Sequence, residues 1–292
     1  MKGTAVSENL RGSLFMVLAM LGFAFEDMLL KRVAGSGMPV GEILVIFGGG
    51  GMLAFAALTR AQGQPLWHPA VVSPPLLAKA GFEVMGRLFY TLAIAYTALS
   101  NASAILQATP LVVVAGAALI FGERVGWRRW SAIVVGFIGV LIILRPGLEG
   151  FTPLSLLAVA GLIGFAGRDL ATRAAPKVLS NFQLGVYGFA AMVPTGLALL
   201  VFSGGGVVPS ALQAMQLVVA VVFGVAAYWA LTVAMRMGDV SVVTPFRYTR
   251  LVFALILGVV VFGERPDAMT LVGSAVVVAA GIYTLLRSRR AG

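Results

Sequence analysis

The chain has 292 residues, of which 60% are apolar and only 11% are charged, and its mean hydropathy is +0.99. Soluble domains contain about 45–50% apolar and about 25% charged residues, so this composition excludes a soluble catalytic domain. Cysteine is absent and histidine occurs once, which excludes disulfides and the usual zinc and haem sites. The net charge of +10 does not indicate nucleic-acid binding, because basic runs with interleaved aromatic residues are missing. We therefore expect a protein of the lipid bilayer with no metal, cofactor or nucleic-acid partner.

Ten apolar segments follow one another along the chain, most of them separated by glycine, proline or charged residues. Each has about the 20 residues that an α-helix needs to cross a bilayer. The first segment contains Glu26 and Asp27 and is followed by Lys31 and Arg32 instead of a small-residue cleavage site, which predicts a retained span and not a signal peptide. The predicted spans cover residues 12–33, 39–59, 76–98, 101–121, 126–145, 153–173, 181–202, 212–235, 240–262 and 268–286.

Lysine and arginine are distributed unevenly between the two sets of predicted loops. Ten spans place both termini on one side, and most of the loop lysines and arginines fall on that side. Because cytoplasmic loops of membrane proteins are enriched in these residues, we expect both termini in the cytoplasm.

Two charged patterns recur half a chain apart. The Phe-Gly-Glu-Arg sequence at 121–124 recurs at 262–265, and the pattern around Asp27 and Lys31 recurs around Asp169 and Arg173. Charged residues are rare in this chain, so these matches indicate a tandem duplication. Each copy holds five predicted spans, and because five is odd, the second copy enters the membrane inverted. The sequence therefore predicts an all-α protein of two inverted-topology five-helix repeats, residues 12–147 and 152–287, whose halves rock about a central polar chamber.

Each half ends in an apolar helix, a Phe-Gly-Glu-Arg turn and a glycine-rich closing helix. This arrangement resembles the drug/metabolite transporter (DMT) superfamily, and in particular its ten-helix EamA-type members, over about residues 12–287. Within the superfamily, the chain is similar to the YddG type of bacterial amino acid exporter. The resemblance implies a secondary transporter in the bacterial inner membrane that exports small metabolites, most of all aromatic and other neutral amino acids, by alternating access. The exact substrate, the ion coupling, the net direction and the oligomeric state stay open.

Eight ionisable residues lie at depth inside four of the predicted spans. Each costs roughly 3 kcal/mol at the centre of a lipid-exposed helix, so we expect them to pair with one another or to line the chamber. Glu83 and Arg87 are four residues apart and are predicted to meet along one helix face, which Tyr90 continues. Adjacent residues point about 100° apart on a helix, so the repeat favours a pair between Glu26 and Arg168. The residues predicted to form charge pairs or to couple transport to an ion are Glu26, Asp27, Arg168, Asp169 and Arg250.

The ninth predicted span contains a helix break at Pro245, followed by Arg247, Tyr248 and Arg250. Arginine binds carboxylates through two parallel hydrogen bonds, so this stretch is either a carboxylate-binding wall or a positively charged gate. Tyr228 and Trp229 on the eighth span are either a platform for a substrate or members of an interfacial aromatic belt. The predicted substrate-binding residues are Glu83, Arg87, Tyr90, Gln107, Pro110, Tyr228, Trp229, Thr244, Arg247 and Tyr248.

Two other classes of function compete with a carrier. A membrane-embedded enzyme acting on lipids would need paired carboxylates for a metal, such as a repeated Asp-x-x-Asp, or a histidine cluster, and the sequence has neither. A channel cannot be separated from a carrier by residue types, but the repeated turns at opposite faces favour two gates and thus a carrier.

Overall fold

The computed structural model describes residues 2–96, 102, 105–144, 154–202, 204–262 and 268–290, and all regular structure in these residues is helical. Five stretches are long and apolar enough to cross a membrane by themselves within this part of the chain. The helices group into ten spans: α1 Lys2–Gly35, α2 Val40–Ala61, α3 Pro74–Tyr96, α4 Thr109–Phe121, α5 Trp127–Leu144, α6 Ser155–Ala174, α7a Asn181–Ala190 with α7b Met192–Phe202, α8 Ala211–Arg236, α9a Val240–Val243 with α9b Thr249–Phe262, and α10 Ala268–Arg290.

The all-helical fold predicted from the sequence is confirmed. Helix α1 begins at Lys2, well before the predicted residue 12. The predicted break at Pro245 takes the form of a 3-10 helix, Thr244–Tyr248, between α9a and α9b, because proline cannot donate the backbone hydrogen bond of a regular turn. The end of the predicted third span and the second Phe-Gly-Glu-Arg sequence, apart from Phe262, lie outside the described residues.

The largest helix interfaces join one repeat to the other. Helix α3 packs along α6, and α1 packs along α8; since α1 corresponds to α6 and α3 to α8, these two interfaces are equivalent. Helix α1 also contacts α9b, as α6 contacts α4, while α2 packs on α7a and α7b and α5 packs on α10. The packing divides the centre into an α1 unit (α1, α8, α9b) and an α6 unit (α6, α3, α4). Within the described residues, the largest contacts of the central helices thus lie between the repeats.

Glycines allow the equivalent interfaces to close through backbone contact. A Cβ atom on Gly164 of α6 would lie 2.5 Å from the Cα atom of Gly86 on α3. Gly22, which corresponds to Gly164, faces α8 in the same way, and its Cβ would lie 2.8 Å from that of Ala227. Small residues at such contacts let membrane helices approach closely. This close approach brings the charged residues of facing helices within reach of one another.

The first Phe-Gly-Glu-Arg turn ties the repeats together at the side predicted to be cytoplasmic. Gly122 ends α4 in the left-handed conformation, with φ of 66°, which a residue without Cβ adopts at little cost. The carboxylate of Glu123 then accepts hydrogen bonds from the backbone N–H groups of Val240 and Ser241, both at 3.3 Å. It also lies 3.9 Å from the guanidinium of Arg173. Because the N-terminus of a helix carries partial positive charge, Glu123 stabilises the start of α9a.

Candidate functional site

A cluster of nine charged side chains lies at the centre of the bundle, between the α1 unit and the α6 unit. Eight of them are buried, and the ninth, Arg250, has a side chain that is only 12% exposed. Five are cations and four are acids, so the described members of the cluster carry one excess positive charge. They are Glu26, Asp27, Lys79, Glu83, Arg87, Arg168, Asp169, Arg247 and Arg250.

Glu83 on α3 is held by groups from three helices. The hydroxyl of Tyr228 on α8 donates to Glu83 Oε2 at 2.6 Å, and Lys79 Nζ lies 3.4 Å from the same oxygen. Lys79 also donates to the hydroxyl oxygen of Tyr228 at 2.5 Å. The other carboxylate oxygen lies 3.5 Å from Arg168 Nη1 on α6. The tyrosine thus connects the α1 unit to the α6 unit through charge-assisted hydrogen bonds.

Two aspartates at equivalent positions of the repeats bind the arginines of the ninth span. Asp169 accepts hydrogen bonds from Arg168 Nε at 3.0 Å and Nη2 at 2.8 Å through one oxygen, and from Arg247 through the other. Asp27 accepts hydrogen bonds from Arg250, with 3.0 Å between Oδ2 and Nε. The 3-10 segment and the start of α9b are therefore fixed to both α1 and α6.

The partners of Glu26 and Arg87 differ from those predicted. Arg87 Nη1 donates to Glu26 Oε1 at 2.5 Å, so the predicted pairs Glu26–Arg168 and Glu83–Arg87 are both wrong. Arg168 instead turns back to its neighbour Asp169, because a long arginine side chain spans the angle between adjacent helix positions. Glu83 takes Lys79, four residues earlier on α3, as its partner on the same helix.

A cavity of about 10 Å³ lies in the middle of the cluster, which is room for about one water molecule. The guanidinium of Arg168 lies 4.8 Å from the ring centre of Phe165, and that of Arg250 lies 5.2 Å from the ring centre of Phe23. The sequence predicts a polar chamber, but in this conformation the ions close on one another around a small cavity. The cavity is lined from both sides. Phe23, Arg247 and Arg250 come from the α1 unit and the adjoining 3-10 segment, and Arg87, Phe165 and Arg168 come from the α6 unit.

Several polar atoms of the cluster keep unused hydrogen-bonding capacity. Within the described part of the chain, Glu26 Oε2, Glu83 Oε1, Arg87 Nε and Thr244 Oγ1 are buried without a hydrogen-bond partner. Native structures leave few buried polar atoms unpaired, because each costs about 1–3 kcal/mol. Three of these atoms belong to the cluster, which therefore retains capacity for further polar contacts.

Three of the predicted site residues lie beside the cluster or away from it. Tyr90 is buried at its edge, with its ring centre 5.7 Å from the guanidinium of Arg250. The ring of Trp229 stacks on that of Phe182, with 6.2 Å between ring centres, and does not border the cavity. The hydroxyl of Tyr248 donates to the carbonyl of Ile133 on α5 at 3.0 Å.

Gln107 and Pro110 are both buried at the start of α4, and Thr244 is buried at the start of the 3-10 segment. Their part in binding stays a prediction.

Sequence reasoning did not include three residues of the site: Lys79, Phe23 and Phe165. Lys79 lies near the predicted start of the third span, but its spacing of four residues from Glu83 is the same signal that suggested Arg87. Phe23 and Phe165 correspond to each other in the two repeats, so the duplication itself marks them as a pair. Apolar matches carry little weight in such a sequence, and only the structure shows that both rings border the cavity.

Ten helices in two repeats, with buried charges enclosed between them, define a membrane carrier and not an enzyme. The EamA-like transporter family profile matches residues 10–145 and 152–287. The chain therefore belongs to the EamA-like transporter family, within the DMT superfamily, and is a secondary transporter of small metabolites.

Relatives in this family transport several kinds of small molecule. The chain is 30% identical over 278 residues to the pseudopaline exporter CntI of Pseudomonas aeruginosa, covering 93% of this chain and 94% of that protein. It is 27% identical over 279 residues to a riboflavin transporter of Vibrio cholerae, covering 92% and 91%. It is 28% identical over 206 residues to an S-adenosylmethionine uptake transporter of Rickettsia felis, covering 70% and 69%.

A solved crystal structure has the same fold. It superposes with a TM-score of 0.78 at 19% sequence identity, covering 96% of this chain and 98% of that chain.

Proposed function

We propose that this protein exports small carboxylate-bearing metabolites, aromatic and other neutral amino acids above all, across the bacterial inner membrane. The observation that carries the proposal is the central cavity, which is lined by four arginines in a cluster with one excess positive charge. The relatives named above carry other small metabolites, so the likeness to amino acid exporters of the YddG type is part of this proposal. So are the predicted cytoplasmic termini, the repeat boundaries and the outward direction of transport.

The side chains at the cavity fit both ends of such a substrate. Guanidinium groups bind a carboxylate bidentately, and all four arginines of the cavity wall can offer such a group to the substrate. Phe23 and Phe165 offer apolar walls to a hydrophobic or aromatic side chain. Glu83 Oε1, which accepts no hydrogen bond from the described residues, is an acceptor for an ammonium group.

Alternating access follows from where the cavity lies. Three lining residues belong to the α1 unit, counting Arg247 of the adjoining 3-10 segment, and three to the α6 unit, so relative motion of these units opens the cavity to one side or the other.

The test is counterflow in liposomes that hold the purified protein. Labelled phenylalanine, tryptophan, threonine and methionine are exchanged against unlabelled amino acid, and phenethylamine serves as a matched competitor that lacks the carboxylate. We expect saturable counterflow that phenylalanine inhibits and phenethylamine does not. Failure of all four amino acids would refute the amino acid proposal and leave the carrier assignment intact, whereas flux that does not saturate would indicate a channel.

A matched pair of variants tests the arginine wall. Arg247→Gln removes a buried cation at the cavity, while Lys177→Gln removes an exposed cation elsewhere. We expect the first to abolish counterflow and the second to retain it; equal activity of the two would contradict the proposed site.

A further inference from the structure

Glu26 differs from the other three acids of the cluster in how its carboxylate is bound. Glu83 contacts three side chains, Asp169 accepts three hydrogen bonds from two arginines, and Asp27 takes two hydrogen bonds from Arg250. Glu26 is fully buried, and within the described residues it is bound through Oε1 alone, by Arg87. Its Oε2 atom has no hydrogen-bond partner in the described residues. Glu26 is thus the acid of the cluster with the fewest hydrogen bonds to other side chains in the described part of the chain.

The arginine that Glu26 binds is itself part of the cavity wall. Arg87 lines the cavity, its Nε atom lacks a hydrogen-bond partner in the described part of the chain, and its guanidinium lies 5.1 Å from the ring centre of Phe47. A guanidinium group can bind a carboxylate through two donors. In the described residues, Arg87 uses one donor for this purpose, and the carboxylate belongs to the protein itself. This pair also crosses between the units, since Glu26 lies on α1 and Arg87 on α3.

The described residues around Glu26 provide no other partner that could balance its negative charge. On the α8 side the neighbour is Gly224, whose Cβ atom would lie 3.2 Å from Glu26 Oε2. The charged groups around Glu26 are Arg87 on α3, Asp27 on its own helix and Arg250 on α9b, which is already bound to Asp27. Arg87 is therefore the cation that neutralises Glu26, and Glu26 neutralises Arg87.

We infer that Glu26 is an internal counter-ion that takes the place of the cargo's carboxylate on Arg87 in the empty carrier. The inference rests on the proposed function, because it requires a cargo that bears a carboxylate. When cargo binds, its carboxylate bridges Arg87 to the α1 unit, as Glu26 does without cargo. Glu26 thereby lets the empty carrier pass through the closed conformation and return to the other side. Net transport requires this return of the empty carrier, whereas exchange does not.

The test separates net transport from exchange in the same proteoliposomes. Net efflux into a substrate-free medium requires return of the empty carrier, whereas exchange returns it loaded. In Glu26→Gln, Arg87 loses its charge partner in the empty carrier, and unpaired buried charge is strongly unfavourable, so we expect net efflux to fall roughly tenfold or more. Exchange in the same preparation is expected to stay within about twofold, since the cargo itself supplies the anion and the pair it forms is charge-assisted.

Three variants serve as controls. Glu42→Gln makes the same substitution at a buried glutamate of α2 that accepts a hydrogen bond from the Val207 N–H at 2.8 Å, outside the cluster, and should retain both rates. Glu26→Asp keeps the charge and should recover part of the net efflux. Glu26→Gln combined with Arg87→Gln removes both charges and should recover net efflux relative to Glu26→Gln alone, with weaker binding of cargo.

Each outcome decides the matter. Equal loss of efflux and exchange in Glu26→Gln, or no loss of either, would overturn the inference, and so would an unimproved double variant that still exchanges. If the wild-type protein exchanges a solute without a carboxylate and none that has one, the inference fails together with the proposed substrate. If the wild-type protein exchanges amino acids but the Glu26 variants do not show the expected loss of net efflux with retained exchange, the proposed function stands and the inference alone is wrong.

Discussion

The hydroxyl of Tyr228 on α8 contacts both Lys79 and Glu83 of α3, across the interface between the two units. Tyr228→Phe removes it and leaves the ring, the fit against neighbouring residues and both charges in place. The hydroxyl accepts from Lys79 at 2.5 Å and donates to Glu83 at 2.6 Å. Hydrogen bonds to charged groups contribute about 1.5–3 kcal/mol, so we expect a loss of stability in this range. For chains of about 150–250 residues, 1 kcal/mol shifts Tm by about 2–4 °C, which gives a decrease of roughly 3–12 °C.

Tyr248→Phe is the matched control for this prediction. It removes the same atom from another buried tyrosine, whose hydroxyl donates to the neutral carbonyl of Ile133 at 3.0 Å. A neutral hydrogen bond contributes about 0.5–1.5 kcal/mol, so the decrease in Tm should be clearly smaller. Both variants are compared by thermal unfolding in one detergent and by counterflow in liposomes. A Tyr228→Phe protein as stable and active as Tyr248→Phe would refute the reasoning that this hydroxyl binds charged partners.

Three further variants test contacts elsewhere in the fold. Gly164→Ala places a methyl group 2.5 Å from a Cα atom of α3, and such overpacking costs about 1–3 kcal/mol of stability. Gly81→Ala is the control: its Cβ atom would have nothing within 4 Å, so thermal unfolding should show a neutral or stabilising effect. Glu123→Gln should lower stability by about 0.3–1 kcal/mol, in a salt-dependent way, since it removes a negative charge from a helix N-terminus. Arg250→Lys keeps the charge but cannot reproduce both donors to Asp27, so a drop in Tm is expected; an unchanged Tm would mean that charge alone suffices.

The sequence predicts the fold and the membership of the cluster better than it predicts the contacts. Span positions follow from apolar length, and the duplication follows from rare charged residues that recur. The burial of Glu26, Arg87, Arg168 and Asp169 follows from the cost of exposing charge to lipid. These inferences need only composition and spacing along the chain, which is why they hold.

The pairing within the cluster depends on quantities that spacing along the chain does not contain. Glu26 meets Arg87 because the close glycine contacts of α1 with α8 and of α3 with α6 set how the four helices face one another. Arg168 binds its own neighbour Asp169 because arginine side-chain length outweighs the angle between adjacent helix positions. Trp229 and Tyr248 look like site residues by type, yet helix rotation turns them towards Phe182 and α5.

The charges also break the symmetry that the backbone keeps. Glu26 and Arg168 are equivalent in the two repeats but have opposite charge, and both reach α3, where Lys79, Glu83 and Arg87 lie in line. Helix α8, the counterpart of α3, contributes a tyrosine and the small residue Gly224 to the same region. The polar contacts of the closed state are therefore concentrated on the α6 unit. If the two units exchange roles in transport, as proposed, the resulting conformations have similar backbones but different ion pairs. We therefore expect the inward-open and outward-open states to differ in free energy even without a gradient.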